Sequence, residues 1–151
     1  MPAKKRIVSP KVPEPPPRTW SNCLKIGNQV LIAGMTCREG AVIVGGDSMY
    51  GQSKAVFAKI ANLLKAAGAA MDDVVKINVF VTDIARREEV WRARREFFSG
   101  DYPVSTLVEV SALAVPELLV EIEAQAIIGA APKRRTAAAK AKAKKPVRPK
   151  R

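Results

Sequence analysis

Positive charge in this chain is confined to its two ends, and that confinement decides where a fold can form. Residues 132–151 hold ten basic side chains, Lys133, Arg134, Arg135, Lys140, Lys142, Lys144, Lys145, Arg148, Lys150 and Arg151, and no acid. The first 18 residues add five basic residues against the single Glu14. Between Thr19 and Ala130 stand 11 basic and 13 acidic residues, a net of −2, although the 151-residue chain carries +12 overall. A like-charged segment with few sizeable apolar side chains cannot bury enough surface to offset the entropy lost on ordering. Residues 131–151 are therefore expected to be a disordered Ala/Lys/Arg-rich basic tail. Residues 1–18, with prolines at 10, 13, 15, 16 and 17, read as a disordered Pro-rich basic arm of polyproline character. What remains, 19–130, has the size of one domain and can bury a core without disulfides or a metal.

Several function classes drop out on residue content. The chain has no histidine, so neither a Ser-His-Asp triad nor a Cys-His nucleophile can be built, and the commonest metal ligand is missing. Cys23 and Cys37 are too few for a disulfide framework and lack the C-x-x-C spacing of a zinc site. A reducing, cytoplasmic setting is the expectation, with no metal and no cofactor. The basic start Met1–Arg6 runs into prolines where a signal peptide needs an apolar stretch, and no run of ~18 apolar residues exists. No membrane association is expected.

Periodicity divides the middle of the chain. Cys23–Ile26 and Gln29–Ala33 around Gly27-Asn28 predict a β-hairpin. Ala41–Val44, between glycines, is a third short strand pattern. Val56, Ile60, Leu63, Leu64 and Ala67 recur at helical spacing from about Ser48 until Gly68, a C-terminal stop. Val75, Ile77, Val79 and Val81 alternate with Lys76, Asn78, Phe80 and Thr82, the period of a strand with one face on a core. Asp83 is an N-cap candidate for a second helix over about 86–98, which places Val90, Ala93 and Phe97 on one face. Alternation over 105–112 and 120–126 predicts two final strands. The order β-β-β-α-β-α-β-β predicts an α+β fold, one mixed sheet with both helices on one face. Apolar residues on both faces of the strands then imply that sister subunits cover the second face.

Three segments together resemble the RidA/YjgF family, the endoribonuclease L-PSP-like proteins. Gly27-Asn28-Gln29-Val30-Leu31-Ile32-Ala33-Gly34 resembles its G-n-l-v-f-v-S-G opening. Val75–Asp83 resembles its V-k-t-t-v-f-v-t-D strand. Tyr102-Pro103 with Val120-Glu121-Ile122-Glu123-Ala124 resembles its f-P-a-R-s and v-E-I-E-a ending. The resemblance spans roughly 19–128. It implies a chorismate-mutase-like fold, a homotrimer with pockets between subunits, and hydrolysis of enamines and imines to ammonia and a 2-keto acid; some members carry ribonuclease or translation-inhibitor labels. It also implies a pocket formed from Trp20, Ala33, Gly34, Trp91, Val104 and Thr106 around Ser105 and Glu121. Glu121 matches the glutamate that positions the attacking water. Ser105 stands where the family has the arginine that grips the substrate carboxylate. The loss of that ion pair from a desolvated pocket is worth about 2 to 5 kcal/mol. Ala33 stands for a serine, Trp20 for a tyrosine and Trp91 for an asparagine.

These residues also have plainer readings. Glu121 alternates with core positions and could face solvent. Trp20 and Trp91 suit either a pocket wall or packing between subunits. Arg38 is a surface residue or a substitute charge. Asp72-Asp73 and Glu88-Glu89 read as solvated or capping pairs, and Gly45-Gly46-Asp47-Ser48 as a turn into the first helix rather than a phosphate cradle. Two functions follow. One is a trimer binding a small metabolite between subunits, and if it is an enzyme, an imine/enamine deaminase-type hydrolase altered by Ser105. The other is a non-enzymatic trimer whose tails bind nucleic acid or another polyanion, weakly and without sequence preference, because nothing in the tail reads base edges.

Overall fold

A computed structural model describes residues 1–132. The hairpin read from the sequence is present as β2 (Cys23–Ile26) and β3 (Gln29–Met35), joined at Gly27-Asn28. The first helix, α1 (Met49–Ala67), starts where Ser48 Oγ accepts the Gly51 amide and ends at Gly68, whose φ of 82° is a left-handed conformation that costs glycine little. β6 (Val74–Val81) follows and buries Ile77, Val79 and Val81 on one face. The second helix, α2 (Arg87–Arg94), is shorter than its pattern. A 3₁₀ turn over Ile84–Arg86 precedes it, with Asp83 accepting the Ala85 amide. After Arg94 the bonds tighten to Glu96 N–Ala93 O and Phe97 N–Arg94 O. That tightening lays Phe97 and Phe98 against Phe57 of α1, with ring centroids 5.4 and 5.8 Å apart.

Two final strands, β7 (Val104–Glu109) and β8 (Val120–Ile127), complete a six-stranded sheet. Its order is β1-β2-β3-β8-β6-β7, where β1 is Lys5–Arg6. β7 runs parallel to β6 and all other neighbours are antiparallel. The architecture is thus the expected mixed sheet with both helices on one face. Val30, Ile32, Ile77, Val79, Ile122 and Ala124 face the helices and form the core with Val56, Phe57, Ile60 and Leu63. The other face carries Leu31, Phe80, Glu121, Glu123 and Ile127, and no described element covers it.

Two expectations are corrected. The run Ala41–Val44 does not add a third strand to the main sheet. β4 (Arg38–Glu39) and β5 (Val42–Ile43) form a separate two-residue hairpin, because Gly40 reverses the chain at φ 61° after only two residues. The arm 1–18 is not disordered either. β1 pairs with β2, the Ile7 amide bonds Cys23 O at 3.0 Å, and Ile7 and Val12 are buried in the common core. Apart from Pro2 the prolines start at position 10, and none falls within Lys5–Arg6 or at Ile7, so the backbone donors are intact where they are needed. Pro13 O then accepts from Asn22 Nδ2 at 2.9 Å, and Arg6 pairs with Glu14. The basic tail residues Lys133–Arg151 lie outside the described residues.

Candidate functional site

The register between β3 and β8 creates the site. Ile32 pairs with Ala124 and Met35 with Ile122, so three steps on β3 oppose two on β8. The extra residue is a β-bulge at Ala33-Gly34, a device that re-aims side chains next to it. Facing the bulge, the Glu121 side chain lies across Gly34 so closely that a Cβ there would stand 2.0 Å from Oε1 and 2.8 Å from Cδ. The glycine is needed for this approach of side chain to backbone, not for an unusual φ.

This corner belongs to a cavity of about 720 Å³. Its walls include Trp20, Ala33, Gly34, Arg38, Lys59 and Glu121, and residues 12–16 of the ordered arm close one side. Burial raises the Glu121 pKa above its ordinary value of 4.5, and neighbouring Glu123 pushes the same way. A carboxyl whose pKa is raised toward the working range is suited to donate a proton as well as accept one. Lys59 is buried and donates to Thr36 O at 3.0 Å and Arg38 O at 2.6 Å. Burial lowers its pKa, against the opposing pull of Glu39 and Cys37. Arg38 sits exposed at the rim, its Nε donating to Gly40 O at 2.8 Å. Both thiols are poor nucleophiles. Cys23 is pushed up to about 11 by burial and then by Glu14, and Cys37 is raised chiefly by burial.

The sequence-predicted residues divide into two groups. Trp20, Ala33, Gly34 and Glu121 meet in the cavity. Ser105, Trp91, Val104 and Thr106 do not. Ser105 pairs with Ile77 and so lies on β7, with β6 between it and β8. Its hydroxyl is on the helix side, where Arg94 Nη1 donates to it at 3.1 Å, whereas Glu121 is on the uncovered side. Val104 and Thr106 project to that uncovered side, and Val104 is 68% exposed. Trp91 is on α2 beside Arg87, whose guanidinium lies 5.7 Å from the ring centre. A single chain therefore cannot bring Ser105 and Glu121 to one ligand.

Sequence reasoning missed Lys59 and Arg94. Lys59 was detectable: it falls three residues after Val56 and four before Leu63, on the buried stripe of α1. Arg94 was not, because its meeting with Ser105 depends on how α2 lies against β7. The paired acids act separately. Asp72 accepts from Ser99, Asp73 from three backbone amides, Glu88 from Arg95 and Glu89 from Arg86. Gly45–Ser48 is a turn into α1. Among the described residues no cluster of acids and thiols could hold a metal, and no helix is long and apolar enough to cross a membrane.

Comparison with known proteins gives the chain's family and fold. Residues 13–128 match the family model described as Endoribonuclease L-PSP. A RutC family protein of Pyrococcus abyssi is 36% identical over 127 residues, covering 81% of this chain and 95% of that protein. A 2-iminobutanoate/2-iminopropanoate deaminase of Dermatophagoides farinae is 28% identical over 127 residues, covering 82% and 97%. The crystal structure of a protein of unknown function from Pseudomonas aeruginosa superposes with a TM-score of 0.77 at 41% identity, covering 85% of this chain and 95% of that one.

Proposed function

Because the chain belongs to the endoribonuclease L-PSP (RidA/YjgF) family, we propose that it is a homotrimer that binds a small imine or enamine in pockets between subunits and hydrolyses it. The observation that carries this reading is Glu121, a half-buried carboxyl with a raised pKa laid over Gly34 in the cavity wall. In the reaction, water adds to the C=N carbon while nitrogen gains a proton, and the resulting aminoalcohol collapses to a C=O group and ammonia. A neutral Glu121 supplies the proton to nitrogen and as carboxylate takes one from the water, so its charge is restored each turn.

Two further features favour assembly. The uncovered sheet face exposes Val104, Val108 and Ile127, and Ser105 is too far round the sheet to share a ligand with Glu121 of its own chain. A neighbour's β7 brought to the cavity mouth would unite them. The test is release of ammonia from a 2-imino acid generated in situ. The full-length protein should accelerate it and Glu121→Gln should slow it by roughly 10²-fold or more. Equal rates for the two proteins, or a monomer by light scattering, would overturn the reading.

A second reading rests on the ten tail charges alone. Three tails on one trimer would bind polyanions with an avidity that falls steeply with salt. Binding of a DNA duplex that persists after deletion of 132–151 would refute it.

A further inference from the structure

We infer that Arg94 of α2 supplies the carboxylate-binding charge that Ser105 does not, so that β7 and the end of α2 form an anion site for the carboxylate of a 2-oxo or 2-imino acid. This deepens the reading above and rests on it for the identity of the ligand.

The arginines around α2 are not equivalent. Arg86 is bonded to Glu89 and Arg95 to Glu88. Arg92 stacks on Tyr50, its guanidinium 4.1 Å from the ring centre, and Arg87 donates to Ile84 O. Arg86 and Arg94 are the two half-buried members of these five, and of the two only Arg94 has no carboxylate in ion-pair range among the described residues and directs a donor at a neutral hydroxyl. The Tyr102 ring, 5.8 Å away, flanks it. Its Nε is buried without an acceptor among the described residues.

A desolvated donor without a partner is unusual and raises the energy of the empty state. The guanidinium has given up part of its hydration in advance. An incoming carboxylate then meets a charge that needs little further desolvation, the condition under which charge-assisted bonds are strongest. Burial lowers the Arg94 pKa, with Arg95 adding to that effect and Tyr102 opposing it; arginine nonetheless stays charged at neutral pH. Ser105 completes the site. Its small side chain leaves room for the guanidinium to reach the strand, and its hydroxyl fixes Nη1 while keeping a proton to donate to the ligand. An arginine at 105 would occupy the same ground from the strand side.

The experiment titrates the full-length protein with 2-oxobutanoate and with its neutral analogue 2-oxobutanamide by calorimetry. The wild type should prefer the acid by roughly 10- to 100-fold, the value of one charge-assisted hydrogen bond at a partly desolvated guanidinium. Arg94→Met should bind both alike, and Arg94→Lys should keep part of the preference. Ser105→Arg in the Arg94→Met background should restore it, which a merely structural role for Arg94 would not predict. An acid preference unchanged in Arg94→Met overturns the inference and leaves the pocket reading standing. Binding of neither compound by the wild type overturns both. If Arg94→Met abolishes the preference while Glu121→Gln leaves imine hydrolysis unchanged, the anion site stands and the catalytic reading of Glu121 falls.

Discussion

Gly34 and Glu121 occupy overlapping space: any side chain on the first must displace the carboxylate of the second, since a Cβ would lie 2.0 Å from Oε1. The obstacle is the flexible end of a side chain and not backbone, so the fold can accommodate the change by swinging Glu121 aside. Gly34→Ala should therefore leave the circular dichroism spectrum unchanged and alter stability by no more than about 1 kcal/mol, while lowering imine hydrolysis nearly as far as Glu121→Gln does. A fully active Gly34→Ala would mean that the Glu121 position does not matter to the chemistry.

Glu121 also makes a pH-dependent contribution to stability. Its folded pKa lies above the ordinary 4.5 because of burial and Glu123, so the folded state holds its proton more tightly than the unfolded chain does. This contribution is fully present below about 4.5 and is lost as pH rises through the folded value. In denaturant titrations from pH 4 to 8, Glu121→Gln should gain stability relative to the wild type as pH rises. A constant difference across that range would contradict the raised value.

Asp73 behaves in the opposite sense. Burial alone would raise its pKa, but the amides of Ala131, Ala70 and Gly129 outweigh it and leave the group below its ordinary 3.8. Asp73→Ala strands these amides and should cost about 2–3 kcal/mol at neutral pH by urea denaturation. The deficit should hold above pH 3.8 and shrink as pH falls through the lower folded value.

Val104 and Val108 are 68% and 42% exposed on the uncovered sheet face. The double substitution Val104→Glu/Val108→Glu places two charges there without touching the core. Light scattering should then report a monomer in place of a trimer. A trimer that survives the change would locate the subunit contact elsewhere.

The parts of the fold that were legible in the sequence are those held by local pattern. The Ser48 and Gly68 caps bound α1, the Gly27-Asn28 turn sets the β2–β3 register, and Ile77, Val79 and Val81 mark the inward face of β6. Position 74 shows the limit: Val74 and not Val75 is buried, because the ladder with β8 shifts between Val74 and Lys76. β7 likewise turns Leu107 inward, following its register with Val79, and leaves Val108 outside. The arm's order is not legible locally, because Lys5–Arg6 becomes a strand only by pairing with Leu24 and Lys25, some twenty residues away. In the candidate site, the adjacency of Glu121 and Gly34 depends on the β3–β8 register, and the convergence of Arg94 and Ser105 required two elements to be placed in space.

The ordered arm bears on how copies of the chain can meet. β1 is two residues long, carries Lys5 and Arg6, and is followed at once by a proline-rich turn, three properties that discourage another strand from adding there. The opposite border, β7, is six residues long and has no neighbour beyond it among the described residues. The sheet thus has one blocked border and one receptive one. Endless edge-to-edge stacking needs two receptive borders, so a chain of this shape is steered toward closed assemblies and away from fibres.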